Sequence, residues 1–115
     1  MLTISPADVE TNDNATRTSW RLLNADTLGS DYGARGGLIE YKYRDPAPED
    51  DGLGGAHEHA EYYYVISGEG VVGLPDDRTS IKAGDAFVIP AGLPHSIWGV
   101  RPDQPVKAFY VALKR

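Results

Sequence analysis

The spread of glycine and proline along this chain constrains its fold more than any other feature. There are 13 Gly and 8 Pro in 115 residues, and they leave few helix-length windows uninterrupted. In a helix interior Gly costs about 1 kcal/mol and Pro about 3 kcal/mol relative to Ala, so long helices are excluded. Between these breaks lie short runs dominated by Val, Ile, Tyr and Phe: Trp20–Leu23, Leu38–Tyr43, Tyr62–Ile66, Val71–Leu74, Ala86–Ile89, His95–Val100 and Val106–Leu113. Such residues fit a pleated, half-buried surface. Turn chemistry separates the runs at Ser67-Gly68-Glu69-Gly70, Pro75-Asp76-Asp77-Arg78, Lys82-Ala83-Gly84-Asp85, Pro90-Ala91-Gly92 and Pro102-Asp103-Gln104-Pro105. The pattern predicts an all-β fold, a sandwich or a closed barrel.

The length corresponds to a single domain spanning residues 1–115. Residues 1–18 read as a polar arm with one helical turn at Ser5-Pro6-Ala7-Asp8, where Ser precedes Pro as an N-cap precedes the first helical position. Residues 44–56 read as a long loop rich in Pro, Gly and acid, with Glu49-Asp50-Asp51 solvated. The net charge of −6 argues against nucleic acid and anionic membranes as partners, since phosphate binding requires clustered Lys and Arg. With no Cys, there is no disulfide, no thiolate-held zinc and no thiol nucleophile. No apolar run approaches a membrane span, and the N-terminus lacks the pattern of a secretory signal, so a cytoplasmic location is expected.

The 3 histidines fall in two places. His57-Glu58-His59-Ala60-Glu61 leads into the run Tyr62–Ile66, and His95 follows the turn Pro90-Ala91-Gly92-Leu93-Pro94. If a strand begins at residue 57, period-2 alternation places His57, His59 and Glu61 on one face. Two or three imidazoles with one carboxylate suit a divalent ion such as Fe, Mn, Ni or Zn.

The second of these places resembles a known motif. Gly84, Pro90, Gly92 and His95 match G-x5-P-x-G-x2-H-x3-N of the cupins, with Gly99 where that motif has Asn. The companion motif, G-x5-H-x-H-x3-4-E-x6-G, is matched in its second half by Glu61 and Gly68. The two stretches span roughly residues 52–68 and 84–99, about a third of the chain. The resemblance implies a small single-domain cupin, a double-stranded β-helix or jelly-roll barrel. It also implies His57, Glu61 and His95 as metal ligands, with the family's first His falling on Gly55. His59 is then either a fourth ligand or a base beside the metal. On a flat strand the Cα atoms of residues 57 and 61 would lie about 13 Å apart, so the long spacing calls for a bend or bulge.

For function, the resemblance implies a metal-dependent enzyme acting on a small organic molecule, with an iron or manganese oxygenase foremost. A metal-dependent lyase, isomerase or polyketide cyclase is an alternative; others are a non-catalytic module binding a sugar or other small ligand, and a metal-free isomerase or epimerase using His and Tyr. Glu61, His59 and Tyr63 are the expected catalytic residues, Tyr63 as a proton donor or acceptor. By alternation Tyr63, Val65, Phe87 and Ile97 are expected to line the substrate pocket, and Gly99 to widen its floor. Tyr62, Tyr64 and Ile66 fall on the opposite face, either as a homodimer surface or under a second sheet. Arg35-Gly36-Gly37 offers a carboxylate anchor, though it reads better as a turn.

Overall fold

Nine strands and one short helix form among residues 3–49 and 53–113, the part of the chain described by the computed structural model. The strands are β1 (Thr11–Asp13), β2 (Arg17–Leu23), β3 (Ala34–Tyr41), β4 (Glu61–Ser67), β5 (Glu69–Leu74), β6 (Asp77–Lys82), β7 (Ala86–Ile89), β8 (Ser96–Gly99) and β9 (Val106–Leu113). They make a six-stranded sheet in the order β1-β2-β3-β9-β4-β7 and a three-stranded sheet in the order β6-β5-β8. Every strand pair is antiparallel. This is the all-β architecture that the punctuation predicts, in the jelly-roll form that the family resemblance implies.

The core fills the space between the two sheets. Ile39, Tyr41, Tyr63, Val65, Ile89, Val106 and Ala108 come from the large sheet, and Val72, Ile81 and Ile97 from the small one. Alternation along β4 is complete: Glu61, Tyr63 and Val65 are buried, while Tyr62, Tyr64 and Ile66 are exposed. No second sheet covers that outer stripe, which pairing extends through Val88 opposite Tyr62.

Several boundaries differ from the sequence expectation. β6 begins at Asp77, where a turn is expected, because Pro75 and Asp76 alone make the reversal, with Asp76 at φ 59°. Asp77–Lys82 has a single buried residue, Ile81, so it lacks an apolar signature and survives as an edge strand on β5. A four-residue helix, α1 (Ala25–Leu28), follows β2, with Asn24 capping the Thr27 amide and Gly29 closing it in the left-handed region. The turn at Pro6–Asp8 forms as expected, the Asp8 carboxylate accepting from the Ser5 amide at 2.8 Å.

Arg35-Gly36-Gly37 is not a turn but the first half of β3. A Cβ at Gly37 would run into the Trp20 carbonyl, and one at Gly36 into the Tyr110 carbonyl. These glycines admit the neighbouring backbones where the β2–β3 register shifts between Trp20 and Leu23. Gly99 also serves packing. It is buried at the seam of the two sheets, its amide donating to the Lys42 carbonyl at 3.0 Å, and a Cβ there would face Tyr41 and Tyr43 backbone, not a pocket floor. The 44–56 loop is partly packed. Pro48 is buried, and Leu53 lies beside Gly73 in the space that also holds the Trp98 ring. Glu49 is exposed, whereas Asp50 and Asp51 lie outside the described residues.

Candidate metal centre

The site is assembled by the ends of elements and not along one extended strand. β4 starts only at Glu61, and the chain bends at Glu58–His59. The bend shortens the reach that a flat strand would impose between residues 57 and 61. Backbone hydrogen bonds then fasten this segment to the turn before β8. The Gly92 amide donates to the His57 carbonyl at 2.9 Å, the His95 amide to the Gly54 carbonyl at 3.3 Å, and the Gly54 amide to Ser96 Oγ at 2.8 Å. Gly92 sits at φ 80°, a conformation open to glycine, which turns the chain so that His95 faces the bend.

His57, Glu61 and His95 thereby offer three ligand atoms that all lie within 4.8 Å of one another. His57 Nε2 is 3.3 Å and His95 Nε2 3.8 Å from Glu61 Oε1. Ligands held about 2.1 Å from a single ion sit roughly 3 Å apart, so this donor set fits a divalent metal after only a small contraction. Glu61 and His95 are buried and His57 is half-exposed. His95 Nδ1 lies 3.0 Å from the Leu93 carbonyl, which can only accept. Nδ1 thus faces a carbonyl acceptor and Nε2 faces Glu61, an outer partner of the kind by which proteins commonly orient a ligating imidazole.

The carboxylate is oriented in the same way. The Tyr63 hydroxyl donates to Glu61 Oε1 at 3.1 Å and accepts from the Tyr41 hydroxyl at 3.3 Å. Burial pushes the Tyr41 phenol up to about 12, and burial with nearby Tyr41 and Glu61 raises Tyr63 well above its ordinary value. Both stay neutral at physiological pH, so Tyr63 acts as a fixed donor to Glu61. Burial also raises Tyr110, opposed by the charges of Arg21, Arg35 and Arg17.

An open cleft of about 980 Å³ leads to this group, with His57, Glu61, Tyr63, Tyr41 and Tyr110 in its wall. A side cavity of about 230 Å³ reaches His57 and His95 from the other flank, past Gly55 and Ile97. Among the expected pocket residues, Tyr63 and Ile97 line these spaces. Val65 is fully buried and Phe87 stacks on Tyr63 with ring centroids 4.8 Å apart, and neither lines the cleft or the side cavity. The barrel is filled by side chains at their level, so alternation alone overstates the depth of the pocket. His59, half-buried at the bend, stands outside the three-ligand group, and neither cavity includes it.

Sequence reasoning passed over Arg17 and Arg21, which line the cleft. On β2 the apolar phase is Trp20 and Leu22, which mimics a core face, while Arg17, Ser19 and Arg21 occupy the phase that faces the cleft. The signal was present as alternation but pointed the wrong way, because Trp20 pairs opposite Leu38 while Arg17 and Ser19 pair opposite the core residues Tyr41 and Ile39.

The sequence pattern of the cupin domain matches residues 47–112, more than half of the chain and both ligand-bearing stretches. This protein belongs to the cupins. None of the curated proteins matches it in sequence. Among solved structures this cupin is similar to iron(II) HppE, at 13% identity and TM-score 0.76, covering 98% of this chain and 60% of that one. It is likewise similar to a mutant of Bacillus subtilis oxalate decarboxylase, at 19% identity and TM-score 0.77, covering 96% of this chain and 28% of that one. A cupin superfamily protein from Desulfitobacterium hafniense gives 16% identity and TM-score 0.64, with 96% and 87% of the two chains covered. At these identities the likeness is one of fold, and the chain spans well under two thirds of the first two proteins. Among the described residues, no helix of this cupin is long and apolar enough to cross a membrane.

Proposed function

We propose that this cupin is a metal-dependent enzyme acting on a small organic molecule, with an iron(II) or manganese oxygenase as the specific reading. The observation that carries it is the convergence of His57, Glu61 and His95 within 4.8 Å at the wall of an open cleft. Two imidazoles and a carboxylate would hold a divalent ion and leave it positions open to substrate. Gly55 stands where the family resemblance expects a further His, and a Cβ there would meet nothing within 4 Å, so no side chain crowds that flank. The iron(II) form of HppE, a protein of the same fold, supports iron as the first metal to test.

When bound, such an ion supplies Lewis-acid and redox chemistry at its open positions. The chain's own residues do the rest. His57 and His95 bind through Nε2, Glu61 binds through its carboxylate, and Tyr63 holds that carboxylate in one rotamer. The cleft orients the organic substrate against this group, and its volume matches the upper end of small-molecule sites.

Elemental analysis of the purified protein and of H57A, E61A and H95A, with oxygen uptake against enolisable substrates, tests the reading. One equivalent of transition metal is expected in the wild type, with most of it lost in each variant. Full metal content in H95A would defeat the metal centre. Turnover without oxygen consumption would exchange the oxygenase for a metal-dependent lyase, isomerase or cyclase. The outer stripe of Tyr62, Tyr64, Ile66 and Val88, all 44–52% exposed, supports a homodimer in solution.

A further inference from the structure

Arginines gather in the cleft wall beside the ligand group. Arg17 and Ser19 of β2 pair opposite Tyr41 and Ile39, on the core side of the sheet, and border the cleft together with Arg21 and Leu23 from the bulge that follows. β3 adds Arg35 from the next strand. The same face of the sheet carries Ile39, Tyr41, Tyr63, Val65, Ala108 and Ala112, the buried core. Three exposed guanidinium groups therefore border the cleft at the rim of a sheet face whose buried positions are apolar apart from Glu61. Like charges brought together this way repel unless something neutralises them.

The described protein does not neutralise them. Its ion pairs are Lys42–Asp13, His57–Glu61, Lys82–Asp85, His95–Glu61 and Arg101–Glu69, none on these arginines. Asp13, an acid on the same wall, is held by Lys42 at 2.8 Å and by Thr18 at 2.7 Å. Asp26 and Glu61 also border the cleft, so its three arginines face three acids, one of which is already held by Lys42. The whole chain carries −6, and this cleft gathers three of its 11 basic residues. Arg35 lies opposite Ala112, which lies opposite Glu61. One row of the sheet thus runs from guanidinium to metal-site carboxylate across two strand spacings, about 10 Å between Cα atoms.

We propose that the substrate of this cleft is a small organic acid whose anionic head, a carboxylate or a phosphoryl group, is held by Arg17, Arg21 and Arg35. Its other end then reaches the group formed by His57, Glu61 and His95. The proposal rests on the metal-enzyme reading above for its reacting end, but the anion site stands on the arginines alone. Guanidinium forks match both carboxylate and phosphate oxygens two at a time, which selects the anion class and leaves the two head groups to experiment.

The test uses the full chain stripped of metal on a chelating resin, so that no anionic chelator competes. Inorganic phosphate and succinate are titrated by calorimetry and by thermal shift at constant ionic strength, with succinamide as the neutral control. Wild type is expected to bind at least one anion and not succinamide. R21Q and R35Q should each weaken binding about tenfold, and R17Q/R21Q/R35Q should abolish it. R101Q, a charge removed far from the cleft, should bind as wild type does. Preference for phosphate over succinate assigns a phosphoryl head, and the reverse a carboxylate. Circular dichroism and retained metal uptake confirm that each variant is folded. No anion binding by the wild type, or equal binding by the triple variant, overturns the proposal. Because the titration is metal-free, its failure leaves the metal centre standing, and failure of metal uptake leaves the anion site standing.

Discussion

Replacing Tyr63 with Phe removes one oxygen from the centre of a short hydrogen-bond chain, and its consequences can be worked from the structure. The Tyr63 hydroxyl donates to Glu61 Oε1 at 3.1 Å and accepts from the Tyr41 hydroxyl at 3.3 Å. Tyr41 and Tyr63 are only 5% and 6% exposed. Y63F therefore strands the Tyr41 hydroxyl, a buried polar group that costs about 1–3 kcal/mol when left without a partner. Y41F removes only the first link and should cost about 0.5–1.5 kcal/mol, since Tyr63 keeps Glu61. In the double variant no hydroxyl is stranded, so Y41F/Y63F should be no less stable than Y63F alone, a non-additive result typical of groups sharing one network. Urea unfolding of the metal-free proteins reads these differences. The metal should respond separately. Glu61 loses the donor that fixes its rotamer in Y63F, and loss of such a partner weakens metal binding about 10–100-fold. Competition against a chromophoric chelator measures this. Additive destabilisation in the double variant, or unchanged metal affinity in Y63F, would refute the claim that Tyr63 links the core to the site.

Three further outcomes follow from the same geometry. Folded-state phenol values raised by burial, to about 12 for Tyr41, mean that the native state holds its protons longer than the unfolded chain does. The stability from these neutral phenols is full below the ordinary value of 10.0 and falls as pH rises toward 12, so alkaline unfolding should begin in that window and be postponed in Y41F/Y63F. Tyrosinate absorbance and circular dichroism should change together there; ionisation of every tyrosine with the fold intact would contradict the burial. G37A places a methyl group against the Trp20 carbonyl, and it should destabilise by about 1–3 kcal/mol or more and loosen β2, while an unchanged denaturation midpoint would show that the close approach is dispensable. Y64K places a charge in the exposed stripe; sedimentation should show a dimer for the wild type and a monomer for the variant, and a monomeric wild type would dismiss pairing.

What the sequence decides by itself is local. Gly and Pro spacing forbids long helices and fixes where turns fall, so β4, β7 and β9 are legible within one residue of their ends. The alternation Glu61, Tyr63, Val65 identifies the inward face of β4, because period 2 is a property of a strand's own backbone. Spacing around Gly84, Pro90, Gly92 and His95 points to the ligand, because those residues shape the turn that aims it. Contacts between distant segments are another matter. Whether His57 or His59 joins Glu61 depends on a bend at residues 58–59 and on bonds from Gly92 and Gly54 that no local pattern encodes. The role of β2 depends on which side of the sheet is concave. Its apolar residues Trp20 and Leu22 suggest one answer, and the pairing with β3 imposes the other, setting Arg17 opposite Tyr41 on the cleft side. Alternation says that two faces differ; only the closing of the sheets says which one encloses the cleft, because that choice is made by the sum of packing across all strands and not by any one of them.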